Sequence, residues 1–280
     1  MTKAEQFTDP VAFHAEGPVW SPSWGGLRYV DMFAGDVLAV DADSHVTRRH
    51  VGVIAAALRP RQGGGAVIGV ERGFVLEEPD GSLRSLPDVW DDTSLRFNDG
   101  ACDPHGRFYC GSIGYHQTPG AASLYRLDPD GTVSRLFGDV TISNGLDWSP
   151  DGGTAYYADT TTRRIDAFDY DAVGGLSRRR AFVEVDGFPD GLTVDSEGHV
   201  WVAIYAGSAV RRYRPDGTLD GVVELPVSQV TACTFGGENL DELFITTTRE
   251  NLPDGVQPAA GAVFSCRPGV KGKPVMAFAG

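Results

Sequence analysis

Asn144-Gly-Leu-Asp-Trp-Ser149 and Asp190-Gly-Leu-Thr-Val-Asp195 share one pattern: a polar residue, a glycine, a short apolar stretch, then a turn residue. Asn98-Asp-Gly-Ala-Cys-Asp103 and Glu16-Gly-Pro-Val-Trp-Ser21 fit the same register, and Thr231-Ala-Cys-Thr-Phe-Gly236 opens a further copy. The leading residues stand at 16, 98, 144, 190 and 231, so the gaps are 82, 46, 46 and 41. A gap of 82 is two periods of 41, which places a weaker copy near Leu58. The chain therefore reads as six units, each one supersecondary repeat.

What lies between these copies is strand and turn. Glu78-Pro79-Asp80-Gly81, Asp103-Pro104-His105-Gly106, Asp128-Pro129-Asp130-Gly131, Ser149-Pro150-Asp151-Gly152, Asp195-Ser196-Glu197-Gly198 and Arg214-Pro215-Asp216-Gly217 read as tight turns. Proline presets φ at the first central position and glycine accepts positive φ. Runs such as Thr154-Ala-Tyr-Tyr-Ala158, Val200-Trp-Val-Ala-Ile204 and Glu242-Leu-Phe-Ile-Thr246 carry the β-branched and aromatic signature of strands, and no 3.6-residue stripe asks for a helix. Four short strands per unit and six units predict an all-β fold, a six-bladed β-propeller with four-stranded antiparallel blades. It forms a single domain over residues 1–280. A β-sandwich gives no reason for a six-fold register. No blade buries both faces of its sheet alone, so the ring must close. Residues around Thr8 to His14 are expected to supply an outer strand to the blade begun at Thr231, hiding an edge.

Composition narrows the partners. The 280 residues carry 24 Lys+Arg against 38 Asp+Glu, a net charge of −14, which argues against a nucleic-acid partner and an anionic membrane surface. The longest apolar run, Val51 to Leu58, is too short to span a bilayer. The first residues show no secretory signal, and Cys102, Cys110, Cys233 and Cys266 follow no metal-binding or C-x-x-C spacing. A cytoplasmic monomer with reduced thiols is expected.

In a propeller, equivalent positions form a ring. Glu16, Asn98, Asn144 and Asp190 should converge at one mouth of the central channel, because each opens the axis-lining strand of its unit. Taken singly, Asn-Gly and Asp-Gly are ordinary turn dipeptides. Taken together, two carboxylates and two amides in one column make a hard-donor site suited to one divalent metal ion: Ca²⁺, Mg²⁺ or Mn²⁺, with Zn²⁺ also open. Arg96, two residues before Asn98 on an extended strand, can face the same mouth. His116, in the loop after the strand that ends near Ile113, is a further candidate lining residue, although a surface position suits it as well. Ser112 and Ser143 lack the G-x-S-x-G elbow of a serine hydrolase.

Glu16-Gly-Pro-Val-Trp20, Arg96-Phe-Asn-Asp-Gly100, Ile142-Ser-Asn-Gly-Leu-Asp-Trp148, Pro189-Asp-Gly-Leu192 and Gly269-Val-Lys-Gly272 together resemble the SMP-30/gluconolactonase family over nearly the whole chain. The resemblance implies hydrolysis of an aldonolactone with one divalent metal. It assigns Glu16, Asn144 and Asp190 as metal ligands and Arg96 and Asn98 as the groups that hold sugar hydroxyls. Asp190 becomes the candidate general base, while attack by hydroxide generated at the ion, with Asp190 only orienting it, fits the sequence equally. One departure concerns the loop Ser112-Ile-Gly-Tyr-His-Gln-Thr-Pro119: the family pattern has an acidic pair there, and this chain has Tyr115 and His116, which makes His116 the candidate substrate contact. The alternatives are a related propeller hydrolase of other lactones or organophosphates, and a calcium-binding regulator without catalysis.

Overall fold

A computed structural model describes residues 2–41 and 43–280. Six sheets stand in a ring, each with four antiparallel strands. The innermost strands are Ala15–Ser21, Ala55–Pro60, Leu95–Cys102, Ser143–Trp148, Phe188–Val194 and Val230–Gly236, and they open blades one to six in that order. The weak sequence copy near Leu58 is thus the innermost strand of blade two.

The predicted turns form as their chemistry requires. Gly81, Gly106, Gly131, Gly152, Gly198 and Gly217 all have φ between 73° and 89°, the left-handed region open to glycine. The carboxylates of Asp80, Asp130 and Asp216 accept the N–H of Ser82, Thr132 and Thr218, two residues on, and lock the turns. Between turns, alternate side chains of each sheet face the two neighbouring blades, so the hydrophobic core lies between blades and not within one. Trp148, Tyr109, Tyr157 and Phe168 fill the space between blades three and four. Trp201, Val210, Phe235 and Ile245 fill that between blades five and six, and Leu27, Tyr29, Phe244 and Val263 join blade six to blade one.

The ring closes in the blade expected but with an earlier segment. Glu5–Gln6 is the outer strand of blade six, pairing Glu5 with Ser265 and Gln6 with Phe264. Residues 8–14 instead cross from that outer edge to the innermost strand of blade one. This segment must span the width of the ring wall, and Pro10 has no N–H to give to a ladder. Thr2–Lys3 adds a parallel fifth strand to blade five.

The C-terminal tail runs under the opposite face. Gly272 N–H donates to Leu240 O at 2.7 Å, Phe278 N–H to Pro60 O at 2.8 Å, and Ala279 N–H to Gly106 O at 2.9 Å. The tail thereby ties blade six to blades two and three, with Phe278 fully buried. Among the described residues no helix is long and apolar enough to cross a membrane.

Candidate metal and substrate site

Every innermost strand carries a β-bulge near its start. The ladders shift between Glu16 and Val19, Ala55 and Ala57, Phe97 and Asp99, Ser143 and Leu146, Pro189 and Leu192, and Val230 and Ala232. Ala56, Asn98, Asn144, Asp190 and Thr231 stand at stations inside these gaps, where a bulge frees the residue from regular pairing and re-aims its side chain, and Glu16, still paired with Val30, stands at the edge of its own. The Asn-Gly and Asp-Gly pairs are parts of strands, not turns. A Cβ on Gly145 would lie 2.5 Å from Leu192 N, and one on Gly191 would lie 2.4 Å from Ala232 Cβ. Only glycine lets adjacent innermost strands approach this closely around the axis.

The stations open into a cavity of about 280 Å³ lined by Glu16, Arg96, Asn98, Asn144 and Asp190. The structure thus brings together five of the six residues singled out from the sequence. His116 is not among the lining residues; it is exposed, and the chain turns after it through Gln117 in the left-handed region at φ 49°. That turn presents Gln117 to the cavity and leaves His116 outside, which corrects the expectation that His116 contacts substrate.

A chain of hydrogen bonds organises the donors. Arg96 Nη1 donates to Asn98 Oδ1 at 2.8 Å, and Asn98 Nδ2 donates to Asn144 Oδ1 at 2.9 Å and to Ser143 O at 2.8 Å. Asn144 Nδ2 donates to Thr160 Oγ1 at 2.7 Å, and Thr160 Oγ1 donates to Pro189 O at 2.8 Å. Because the Thr160 proton is committed to Pro189, its oxygen can only accept from Asn144. That fixes which way the Asn144 amide points: its Oδ1 faces Asn98 with a lone pair to spare. The serines that lacked a nucleophile elbow are structural, with Ser143 Oγ held by Tyr157 OH at 2.8 Å and Ser112 Oγ by the Ser123 backbone.

The carboxylates are buried without a direct ion pair, although the positive charge of Arg96 is near enough to act on Glu16. Glu16 accepts the N–H of Gly17 at 2.9 Å, and neither Glu16 nor Asp190 forms an ion pair with any described residue. Burial, and next the charge of Asp99, push the Glu16 carboxyl up to about 8. Burial, and next Glu16, hold Asp190 well above the usual carboxylate range, and burial raises Asp99 as well. Two buried carboxylates and one oriented amide oxygen, all hard donors, fit a divalent cation, whose charge would offset these shifts.

Sequence reading missed the rest of the wall. Thr160, Tyr205, Glu250, Asn251 and His14 also line the cavity. Hydrogen bonding from His14, whose Nδ1 lies 3.3 Å from Glu250 Oε2, holds the Glu250 carboxyl below its usual range despite partial burial. The available signal was length: the connection from Glu242–Thr247 to Val263–Cys266 is far longer than its counterparts in other blades. Among the described residues two other acidic clusters exist, at Asp41, Asp43 and His45 and at Asp195, Glu197 and His199. The first is fully exposed, and in the second Asp195 is occupied by Arg212, Trp201 Nε1 and backbone N–H groups.

Residues 14–249 match the SMP-30/Gluconolactonase/LRE-like region. The chain belongs to this family. Regucalcin of Danio rerio is 37% identical over 282 residues, covering 95% of this chain and 94% of the relative. A solved structure of a calcium-binding protein, regucalcin, from Agrobacterium tumefaciens superposes with a TM-score of 0.92 at 28% identity, covering 99% of this chain and 97% of that one. A gluconolactonase of Xanthomonas campestris, XC5397, gives a TM-score of 0.76 at 25% identity, covering 93% and 87%. These likenesses support the six-bladed fold along the whole chain.

Proposed function

We propose that this chain is a divalent-metal-dependent hydrolase that opens a sugar lactone, an aldono-1,4- or 1,5-lactone, to the aldonic acid. The observation that carries the reading is the pairing of two buried carboxylates without an ion-pair partner among the described residues, Glu16 and Asp190, with the oriented oxygen of Asn144 in one cavity. Family membership and the gluconolactonase among its relatives support the choice of substrate class.

Glu16, Asn144 and Asp190 would hold the ion. When bound, it supplies Lewis-acid polarisation of the lactone carbonyl and makes water easier to deprotonate. The residues of the chain do the remaining work. Arg96 spends Nη1 on Asn98, Phe97 O and Met32 Sδ, and its other nitrogens have no partner among the described residues. They are donors in wait for substrate oxygens. Asn98 has both amide protons engaged and one acceptor lone pair left on Oδ1, so it orients Asn144 first and touches substrate second. In this reading Asp190 holds the attacking water and takes its proton, the task of a general base, or only orients an attacking hydroxide. Fixing substrate between Arg96 and Asp190 supplies the orientation that turns binding into rate.

A calcium-binding role without catalysis is the second reading, favoured by the likeness to the calcium-binding regucalcin. One assay separates the two: aldonolactone hydrolysis followed with a pH indicator on EDTA-stripped protein, with Ca²⁺, Mn²⁺, Mg²⁺ or Zn²⁺ restored. Turnover that needs a metal and disappears in Glu16→Gln and Asp190→Ala supports the hydrolase. Ion binding without acceleration of any lactone over buffer would leave the regulator.

A further inference from the structure

We infer that Glu250 is a substrate-binding carboxylate and that the blade-six loop carrying it selects among hydroxylated lactones. The inference rests on the proposed lactone chemistry and adds a residue outside the inner ring.

The loop is built to hold a side chain in place. Residues 248–262 join the second and third strands of blade six, where residues 71–73 and 206–208 suffice in blades two and five. The crossing segment that closes the ring pins this loop. Arg249 N–H donates to Phe13 O at 2.8 Å, Ala12 N–H to Gly261 O at 3.3 Å, and Thr248 Oγ1 to Phe13 O at 3.1 Å. Glu250 N–H in turn donates to Thr248 Oγ1 at 2.9 Å. Long loops on a rigid scaffold are where binding residues collect.

The Glu250 side chain is one-third exposed and lines the cavity. His14 touches Oε2, whereas Oε1 has no partner among the described residues. A partly exposed His–Glu contact contributes little to stability, so folding gives no reason for a carboxylate here. Beside it, Asn251 donates Nδ2 to Tyr205 OH at 2.8 Å, which leaves Asn251 Oδ1 as a second free acceptor on the same wall. Elsewhere outside the inner ring, Ile113, Ile142 and Phe188 are apolar and Gln117 and Thr161 are uncharged, so none of these offers a charged acceptor. A polyhydroxylated ring therefore finds charged acceptor capacity outside the inner ring at Glu250, and a hydroxyl donating to a carboxylate makes a strong, short hydrogen bond.

The test is steady-state kinetics of the full-length, metal-loaded protein and its Glu250→Gln and Glu250→Ala variants. Substrates are D-glucono-1,5-lactone, L-galactono-1,4-lactone and γ-butyrolactone, which has no hydroxyl. Both variants are expected to lose about 10- to 100-fold in kcat/KM on the sugar lactones, mainly through KM, and less than twofold on γ-butyrolactone. Equal loss on all three lactones, or loss on none, overturns the assignment. If the unmodified protein hydrolyses none of them, the lactonase reading falls separately. Glu250 is then judged by calorimetric titration of the Ca²⁺-loaded protein with D-glucitol: about tenfold weaker binding in Glu250→Gln sustains its role in hydroxyl recognition. Equal binding by both proteins, or binding by neither, overturns it.

Discussion

Thr160→Val tests the claim that the Asn144 oxygen is aimed by its neighbours. Valine keeps the shape of threonine but removes two buried hydrogen bonds: 2.7 Å from Asn144 Nδ2 and 2.8 Å to Pro189 O. Asn98 still donates to Asn144 Oδ1, so the amide stays the same way round with one restraint in place of two. Its NH₂ group is left with an unpaired proton in a buried site, at a cost of about 1–3 kcal/mol. The carbonyl preceding Asp190 is freed at the same time, so a second ligand loosens with the first. Loss of an outer-shell partner typically weakens a metal site about 10- to 100-fold, which is roughly 1.4–2.7 kcal/mol. Calorimetric titration of the EDTA-stripped protein with Ca²⁺ reads this directly. Thr160→Ser, which restores the hydroxyl, is expected to bind within about threefold of the unmodified protein, well inside the loss expected for valine. Valine and serine variants that bind equally well, or equally badly, would refute the reasoning, because only serine can accept from Asn144 and donate to Pro189 O as threonine does.

Further outcomes follow from the same geometry. Because the folded-state carboxyls of Glu16 and Asp190 lie above their unfolded values, the metal-free protein holds protons that the unfolded chain releases first. Its stability is then full below about pH 4.5, the ordinary glutamate value, and is lost as the pH rises toward about 8. Thermal melts in EDTA from pH 5 to 8 should show a falling Tm, and saturating Ca²⁺ should abolish the fall. The same coupling means that Ca²⁺ binding at pH 7 releases protons, measurable as a buffer-dependent binding enthalpy; no release would argue against these ligands. Gly191→Ala places a Cβ 2.4 Å from that of Ala232 and should cost about 1–3 kcal/mol by denaturant melt. Phe278→Ala, at the buried end of the tail, should cost about 3–5 kcal/mol without changing Ca²⁺ affinity, because it lies on the opposite face.

The ring was legible because chemistry and period coincide. At five of six stations a polar residue marks the bulge, so Glu16, Asn98, Asn144, Asp190 and Thr231 could be aligned before any strand was placed. Blade two was faint for the converse reason: its station is Ala56, which carries no polar group to align. Glu250 was invisible because it sits in a loop without counterpart in the other blades. Thr160 follows a strand that looks ordinary, and its importance arises only from the bond to Asn144 across the turn. His116 was misplaced because adjacency in a loop does not fix direction; one left-handed residue, Gln117, decides which neighbour faces inward. The closing strand was expected too late in the chain. Pairing was assigned to the segment nearest blade one, but that segment is consumed by the crossing.

The charge of the cavity also bears on the order of events. Glu16, Asp190 and Glu250 line it and Asp99 lies close enough to raise Glu16, while Arg96 is the one arginine on its wall and no lysine lines it. With Glu16, Asp190 and Glu250 ionised, a divalent cation and Arg96 offset their charge and leave no positive excess. A neutral lactone enters such a site without electrostatic cost, whereas the aldonate formed from it adds a negative charge that Glu250 and the other carboxylates repel. The buried setting strengthens that repulsion because little water screens it. The same carboxylates that recruit the cation therefore favour release of the anionic product. On this argument, neutralising Glu250 has two opposed effects on sugar lactones: substrate binds less well through the lost acceptor, and aldonate binds better through the lost charge. Product inhibition by gluconate should accordingly strengthen in Glu250→Gln even as KM for gluconolactone rises. A structural defect would weaken both ligands together, so a gluconate inhibition constant that rises along with KM would remove the electrostatic account.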